Sequence, residues 1–169
     1  MHVKRVENSK IRINIKKNID QKAVMTQHTV VPFVLLALIK NDQVLLIRRS
    51  NTGFSDGMYS LIGGKVEKGE TMRAALVREA FEEIDVIIDP DDLAFVHAFH
   101  RKGDAEELVA FCFATTHWLE EPHNKEPEKH DDLRWFPLDR LPSNMIPANK
   151  QAVESIVQGR YYSEHGWDE

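Results

Sequence analysis

Runs of apolar residues along the chain differ in length and period enough to separate strands from helices. Val30 to Ile39 and Val44 to Arg49 are apolar runs joined by Lys40-Asn41-Asp42-Gln43, which predicts a β-hairpin. Residues 51–70 carry five glycines and little periodicity, which predicts a loop with one short strand at Met58 to Leu61. Thr71 is placed to N-cap a helix running to Ile84, and Asp89-Pro90-Asp91 then marks a turn. Leu93 to Arg101 and Leu108 to Trp118 predict two strands around the turn Lys102-Gly103-Asp104. Glu120 to Asp132 is a polar loop, Leu133 to Pro137 a further strand, and Pro147 to Gln158 a closing helix with Pro147 in its first turn. Upstream, Ile11, Ile13 and Ile15 alternate with polar residues and predict a short added strand. The order of elements is that of an α+β protein.

The predicted helix from Met72 to Ile84 divides into two unlike faces at about 100° per residue. Met72, Ala74, Leu76, Val77, Ala80, Phe81 and Ile84 cover a broad arc expected to face the core. Glu79, Glu82 and Glu83 share the opposite side at the i, i+3 and i+4 spacing that makes side chains neighbours. Such like charges repel, and a hard divalent cation with oxygen ligands would turn that repulsion into coordination. A Glu-rich face alone is ordinarily a solvated surface. Here it follows Gly63-Gly64 and Lys65-Val66-Glu67-Lys68-Gly69-Glu70, a segment whose glycines let backbone approach a ligand closely.

Composition narrows the chemistry. A chain of 169 residues with 42% hydrophobic and 29% charged residues is expected to form one globular domain. Its longest apolar run contains Pro32 and stops short of the ~20 residues a membrane span needs, so no membrane partner is expected. The one cysteine, Cys112, has no internal partner, and no signal-like segment follows Lys4 and Arg5, which favours the cytoplasm. Residues 1–24 hold seven basic against two acidic groups, whereas the remainder holds 15 basic against 25 acidic. We therefore read 1–24 as a basic N-terminal extension and 25–169 as the functional domain. The acidic body argues against polymeric nucleic acid, whose binding rests on phosphate neutralisation by Lys and Arg. It would meet a phosphate compound through divalent cations.

Gly64, five residues, Glu70, seven residues, then Arg78-Glu79-Ala80-Phe81-Glu82-Glu83-Ile84-Asp85-Val86 resembles the Nudix box, G-x5-E-x7-R-E-U-x-E-E-x-G-U, in which U is a bulky apolar residue. Every charged position of the pattern is filled. Asp85 replaces the final glycine, Ala80 is small for its class, and Ile62 stands where a proline often precedes the glycines. None of these removes a ligand. Asp85 would lie just past the helix end in left-handed geometry, where Asp is among the better substitutes for Gly.

The resemblance implies a Nudix fold, a mixed β-sheet sandwiched between α-helices. It also implies a metal-dependent hydrolase cleaving the diphosphate linkage of a nucleoside diphosphate derivative. Glu79, Glu82 and Glu83 become metal ligands with the Gly64 carbonyl, for Mg2+ or Mn2+ and more than one ion per site, while Glu70 and Arg78 form a bracing pair. The loop Trp118 to Pro127 resembles that of MutT-type enzymes and offers Glu126 as a fourth carboxylate, catalytic with the other three, with Glu128 as runner-up. Arg48, Arg49 and Lys65 are phosphate candidates. Ile146-Pro147-Ala148-Asn149-Lys150 resembles the stretch in which an asparagine reads a purine, making Asn149 the base-reading candidate. Phe99-His100-Arg101-Lys102-Gly103 shows neither the proline nor the tyrosine of other subgroups. That leaves a purine or oxidised purine (deoxy)nucleoside triphosphate, split to monophosphate and pyrophosphate by a monomer or homodimer. The alternative is a non-catalytic nucleotide-binding or regulatory Nudix module, which would be expected to have lost box carboxylates. An isopentenyl diphosphate isomerase would need a catalytic cysteine in its own motif, which Cys112 lacks.

Overall fold

Strand β1 (Val30–Lys40) sets the two-sided core by alternation. Val34, Leu36 and Leu38 face one layer, Leu35 and Ala37 the other, and all five are buried. Helix α1 (Met72–Ile84) covers the first layer with Ala75, Leu76, Ala80 and Ile84. Helix α2 (Pro147–Val157) covers the second with Ala148, Ala152 and Val153. A strand buried on both faces reads as one continuous apolar run, which is why Val30 to Ile39 shows no polar alternation. The computed structural model describes residues 28–103 and 106–167. The extension 1–24, its expected strand at Ile11 to Ile15, and the Asp104 end of one predicted turn lie outside the described residues.

The sheet is mixed. Strand β2 (Gln43–Arg49) meets β1 at Ile39↔Val44 and Lys40↔Gln43, through the turn Asn41-Asp42, both at positive φ as a tight hairpin requires. The two strands then part. β1 runs antiparallel to β4 (Ile62–Lys65) and parallel to β6 (Glu107–Thr115), whereas β2 pairs with β3 (Tyr59–Ser60) and β7 (His130–Pro137). β5 (Ala94–Arg101) joins β6, and β8 (Tyr162–His165) adds a parallel edge to β5. This is the α+β arrangement expected, a mixed sheet between two helices.

Three expectations need correction. The segment 51–70 is not loop throughout, because Ile62–Lys65 forms β4 with the two glycines inside it. Gly63 has φ 141°, and a Cβ there would run into the Val34 carbonyl oxygen, so the close approach of β4 to β1 excludes a side chain. β7 begins at His130 rather than Leu133, since Asp132 and His130 still pair with Arg48 and Arg49. β8 follows the closing helix where no strand was predicted, its polar residues standing on an exposed edge.

Candidate active site

Thr71 starts α1 as predicted: its hydroxyl accepts from the Ala74 N–H at 3.2 Å. The helix buries a narrower stripe than its apolar pattern suggests. Ala75, Leu76, Ala80 and Ile84 are buried, but so is Glu83, while Ala74 is exposed and Phe81 is 47% exposed. The buried stripe is thus rotated toward Glu83, and β4 explains why. A Cβ on Gly64 would collide with the Glu79 carboxylate, and the Gly63 N–H donates to Glu83 Oε2 at 3.0 Å. The glycine pair makes room for two carboxylates, Glu79 and Glu83, against the sheet.

Arg78 ties this arrangement together. Its Nε and Nη2 bind Glu70 Oε2 and Oε1 at 3.2 and 2.8 Å, and its Nη1 reaches Glu79 Oε1 at 2.9 Å and Glu82 Oε2 at 3.1 Å. The same guanidinium donates to the Lys65 carbonyl, so loop, strand and helix share one fork of donors. The fork holds the Glu70 carboxyl below its usual range.

The loop between β6 and β7 brings Glu126 to the same place. The His123 N–H bonds the Ile84 carbonyl at 3.1 Å and the Lys125 N–H the Glu83 carbonyl at 3.0 Å, so the loop satisfies carbonyls that the end of α1 leaves open. Asn124 accepts from the Glu126 N–H and donates to the His130 carbonyl, which fixes the bend. Glu79, Glu82, Glu83 and Glu126 then line one cleft of about 420 Å³ with Arg49, Lys129 and His130. Glu128 is not among its lining residues. Crowding is felt in the titration: burial above all, then Glu79 and Glu126, pushes the Glu83 carboxyl up to about 8, against the Gly63 N–H. Burial likewise raises Glu79, against its bonds to Arg78. Four convergent carboxylates with two of them held uncomfortably as anions fit a hard divalent cation.

A second cleft of about 690 Å³ adjoins the first. Phe33, Leu35, Leu61, Phe99 and Leu108 give it apolar walls, and Asn149 lies in it. Arg49 lines both clefts, its Nε bound to the Phe54 carbonyl at 2.8 Å and its Nη2 to Thr52 Oγ1 at 3.0 Å. Arg48 goes elsewhere: one residue earlier in the strand, it points to the opposite face, where it pairs with Asp131 at 2.7 Å. Lys65 lines the larger cleft but pairs with Glu106 at 2.7 Å. The Asn149 amide oxygen accepts from the Leu61 N–H at 3.0 Å, so the pairing that fixes its orientation leaves the amide NH2 toward the cleft.

His130 was not among the sequence candidates. It is 3% exposed, and its Nε2 lies 3.8 Å from Glu83 Oε1. Its only signal in the sequence is the short spacing from Glu126 in a polar loop. His97, by contrast, is a satisfied core histidine, bonded to the Arg160 carbonyl and Ser163. Cys112 is buried, and burial pushes its thiol up to about 12.

The NUDIX domain profile matches residues 29–156, and the chain therefore belongs to the Nudix family. Within it the likeness is to MutT-type bacterial members. The MutT NUDIX hydrolase from Burkholderia pseudomallei superposes with a TM-score of 0.69 at 28% identity, covering 75% of this chain and 98% of that one. The NAD-capped RNA hydrolase NudC of Stutzerimonas stutzeri is 28% identical over 137 residues, 75% of this chain and 43% of its own length. The chain thus spans less than half of the NudC relatives it matches. The oxidized purine nucleoside triphosphate hydrolase of Mus musculus is 26% identical over 133 residues, covering 77% of this chain and 82% of the relative. Among the described residues, no helix is long and apolar enough to cross a membrane.

Proposed function

We propose that the chain hydrolyses a purine or oxidised purine nucleoside triphosphate to the monophosphate and pyrophosphate. The observation that carries this reading is the junction of the two clefts: an acidic one built for cations and an apolar one fitted to a flat base, with Arg49 lining both. Glu79, Glu82, Glu83 and Glu126, with the Gly64 carbonyl, would hold Mg2+ or Mn2+, more than one ion per site. Such a metal would supply neutralisation of the diphosphate charge and an activated water at this cleft. Arg49 pairs with phosphate oxygens where the clefts meet, and Lys65 adds charge at the rim. Arg48, tied to Asp131 on the far face, supports the strand instead.

Asn149 gives the base preference. With its oxygen committed to Leu61, it offers the cleft donors only, which suits a guanine carbonyl better than an adenine amino group. The likeness to the mouse oxidized purine nucleoside triphosphate hydrolase, which extends over 82% of that relative, supports the same substrate class. The NudC relatives make a dinucleotide diphosphate the competing substrate, while the acidic body still argues against an RNA chain. The test is a substrate panel of dGTP, 8-oxo-dGTP, dATP, dCTP and NADH with each metal. Highest kcat/KM on a guanine triphosphate is expected. A clear preference for NADH would overturn the triphosphate assignment.

A further inference from the structure

We infer that His130 supplies a nitrogen ligand to one of the ions in the acidic cleft, and that this position therefore favours Mn2+ over Mg2+. The inference rests on the metal-dependent reading above and adds a ligand of different chemistry. One ligand atom each from Glu83, Glu126 and His130 lies within 4.8 Å of the others, a spacing open to a single ion. The imidazole is almost wholly buried; its Nδ1 has no hydrogen-bond partner among the described residues, and its Nε2 lies 3.8 Å from Glu83 Oε1, beyond hydrogen-bond reach. Nδ1 is sealed in the interior, whereas Nε2 faces Glu83 on the cleft side. A buried imidazole left without partners is rare, because polar groups removed from water are normally satisfied.

The surroundings favour a lone pair directed at a cation. Glu83 Oε2 is occupied by the Gly63 N–H, which leaves Oε1 on the side of the ring. Glu126 Oε1 is taken by Lys129 at 2.5 Å, which leaves its second oxygen. The backbone is fixed as well: the His130 N–H bonds the Glu126 carbonyl at 2.9 Å and the Asn124 amide holds the His130 carbonyl at 2.7 Å. Two carboxylates and one imidazole form a borderline donor set. Imidazole adds little for Mg2+, which keeps to oxygen ligands and water, and more for Mn2+ and the later first-row ions.

The test uses the full chain loaded with Mn2+ and electron spin-echo modulation, which reports nitrogen bound to the ion without reference to turnover. Directly coordinated 14N is expected in the unmodified protein, and it should change to the 15N pattern when the chain is grown with 15N-histidine. His130→Gln should abolish the signal, keep Mn2+ bound, and lower the Mn2+ over Mg2+ preference in dissociation constants by about tenfold, the lower end of what changes around a metal site typically cost in affinity. Bound Mn2+ with no histidine nitrogen would overturn this inference and leave the carboxylate site standing. A nitrogen signal unchanged in His130→Gln would assign it to another histidine and overturn it equally. Failure of Mn2+ to bind at all would overturn the metal-dependent reading itself.

Discussion

Asp85 and Lys125 close the end of α1 onto the loop that carries Glu126. Asp85 stands in left-handed geometry at the helix end, φ 56° and ψ 32°, and its Oδ1 meets Lys125 Nζ at 2.6 Å. The same ammonium lies 3.5 Å from the Phe81 ring centroid and donates to the Phe81 carbonyl at 3.3 Å. The box position normally held by glycine is thus used for a tether. Phe81, exposed where the helical pattern would bury it, is the platform under that tether.

A double-mutant cycle separates the backbone cost of Asp85 from its contact. In the native background, Asp85→Gly gains left-handed freedom and loses the ion pair, so the melting temperature should hardly move. In a Lys125→Met background the closer ion pair is already absent and only the longer contact to His123 at 3.4 Å opposes the backbone gain, so at a pH above that at which His123 is charged Asp85→Gly should raise the melting temperature. Equal effects in both backgrounds would show that the two residues are energetically independent.

The Glu83 carboxyl makes the metal-free protein weaker at alkaline pH. Its value in the fold, about 8, lies above the ordinary 4.5, so the folded state holds a proton that the unfolded chain releases. The stabilisation is full below about 4.5 and is lost as pH rises toward 8. His130, held neutral by burial, acts in the opposite sense at lower pH, so the informative quantity is the difference from Glu83→Gln. Denaturant unfolding in the absence of metal should show the native protein losing stability relative to Glu83→Gln between pH 5 and 8. Parallel curves would contradict the burial argument.

Asn149 has a structural and a recognition role that two substitutions divide. Asn149→Asp keeps the acceptor for the Leu61 N–H and removes the donor, so the fold should survive while guanine preference falls by about 1 to 3 kcal/mol in kcat/KM. Asn149→Ala also strands the Leu61 N–H, costing about 1 to 3 kcal/mol of stability. An unchanged guanine to adenine ratio in Asn149→Asp would remove this residue from base recognition.

Cys112 serves packing. Buried in the second core layer with its thiol pushed up to about 12, it should resist a thiol reagent in the native protein and react on unfolding. Rapid labelling of the native protein by a disulfide reagent would contradict its placement.

Much of this architecture was legible in the chain because its signals are local. Thr71, the apolar stripe of α1 and the spacing of Glu79, Glu82 and Glu83 sit within one short segment, and the helix bounds agree with the structure. Charge pairing at fixed distance was also readable, as Glu70 with Arg78 shows. Tertiary approach was not. Gly63 and Gly64 look like loop by propensity, yet they pair with β1 in a strand where a Cβ on Gly63 would run into the Val34 carbonyl and one on Gly64 into the Glu79 carboxylate. Arg48 and Arg49 are neighbours of equal charge, and the pleat and local irregularity of β2 send them to different surroundings. His130 carries no motif, since its importance comes from a buried position that only the packed loop creates.

The carboxylate cleft is tested most directly by product analysis with dGTP and 8-oxo-dGTP in Mg2+ and in Mn2+, comparing the native protein with Glu82→Gln and Glu83→Gln. Monophosphate and pyrophosphate are predicted as the products, with turnover falling by orders of magnitude in both variants while their folds remain intact. Near-native turnover in both variants, or orthophosphate as the first product, would contradict the assignment of this carboxylate cleft as the hydrolytic centre.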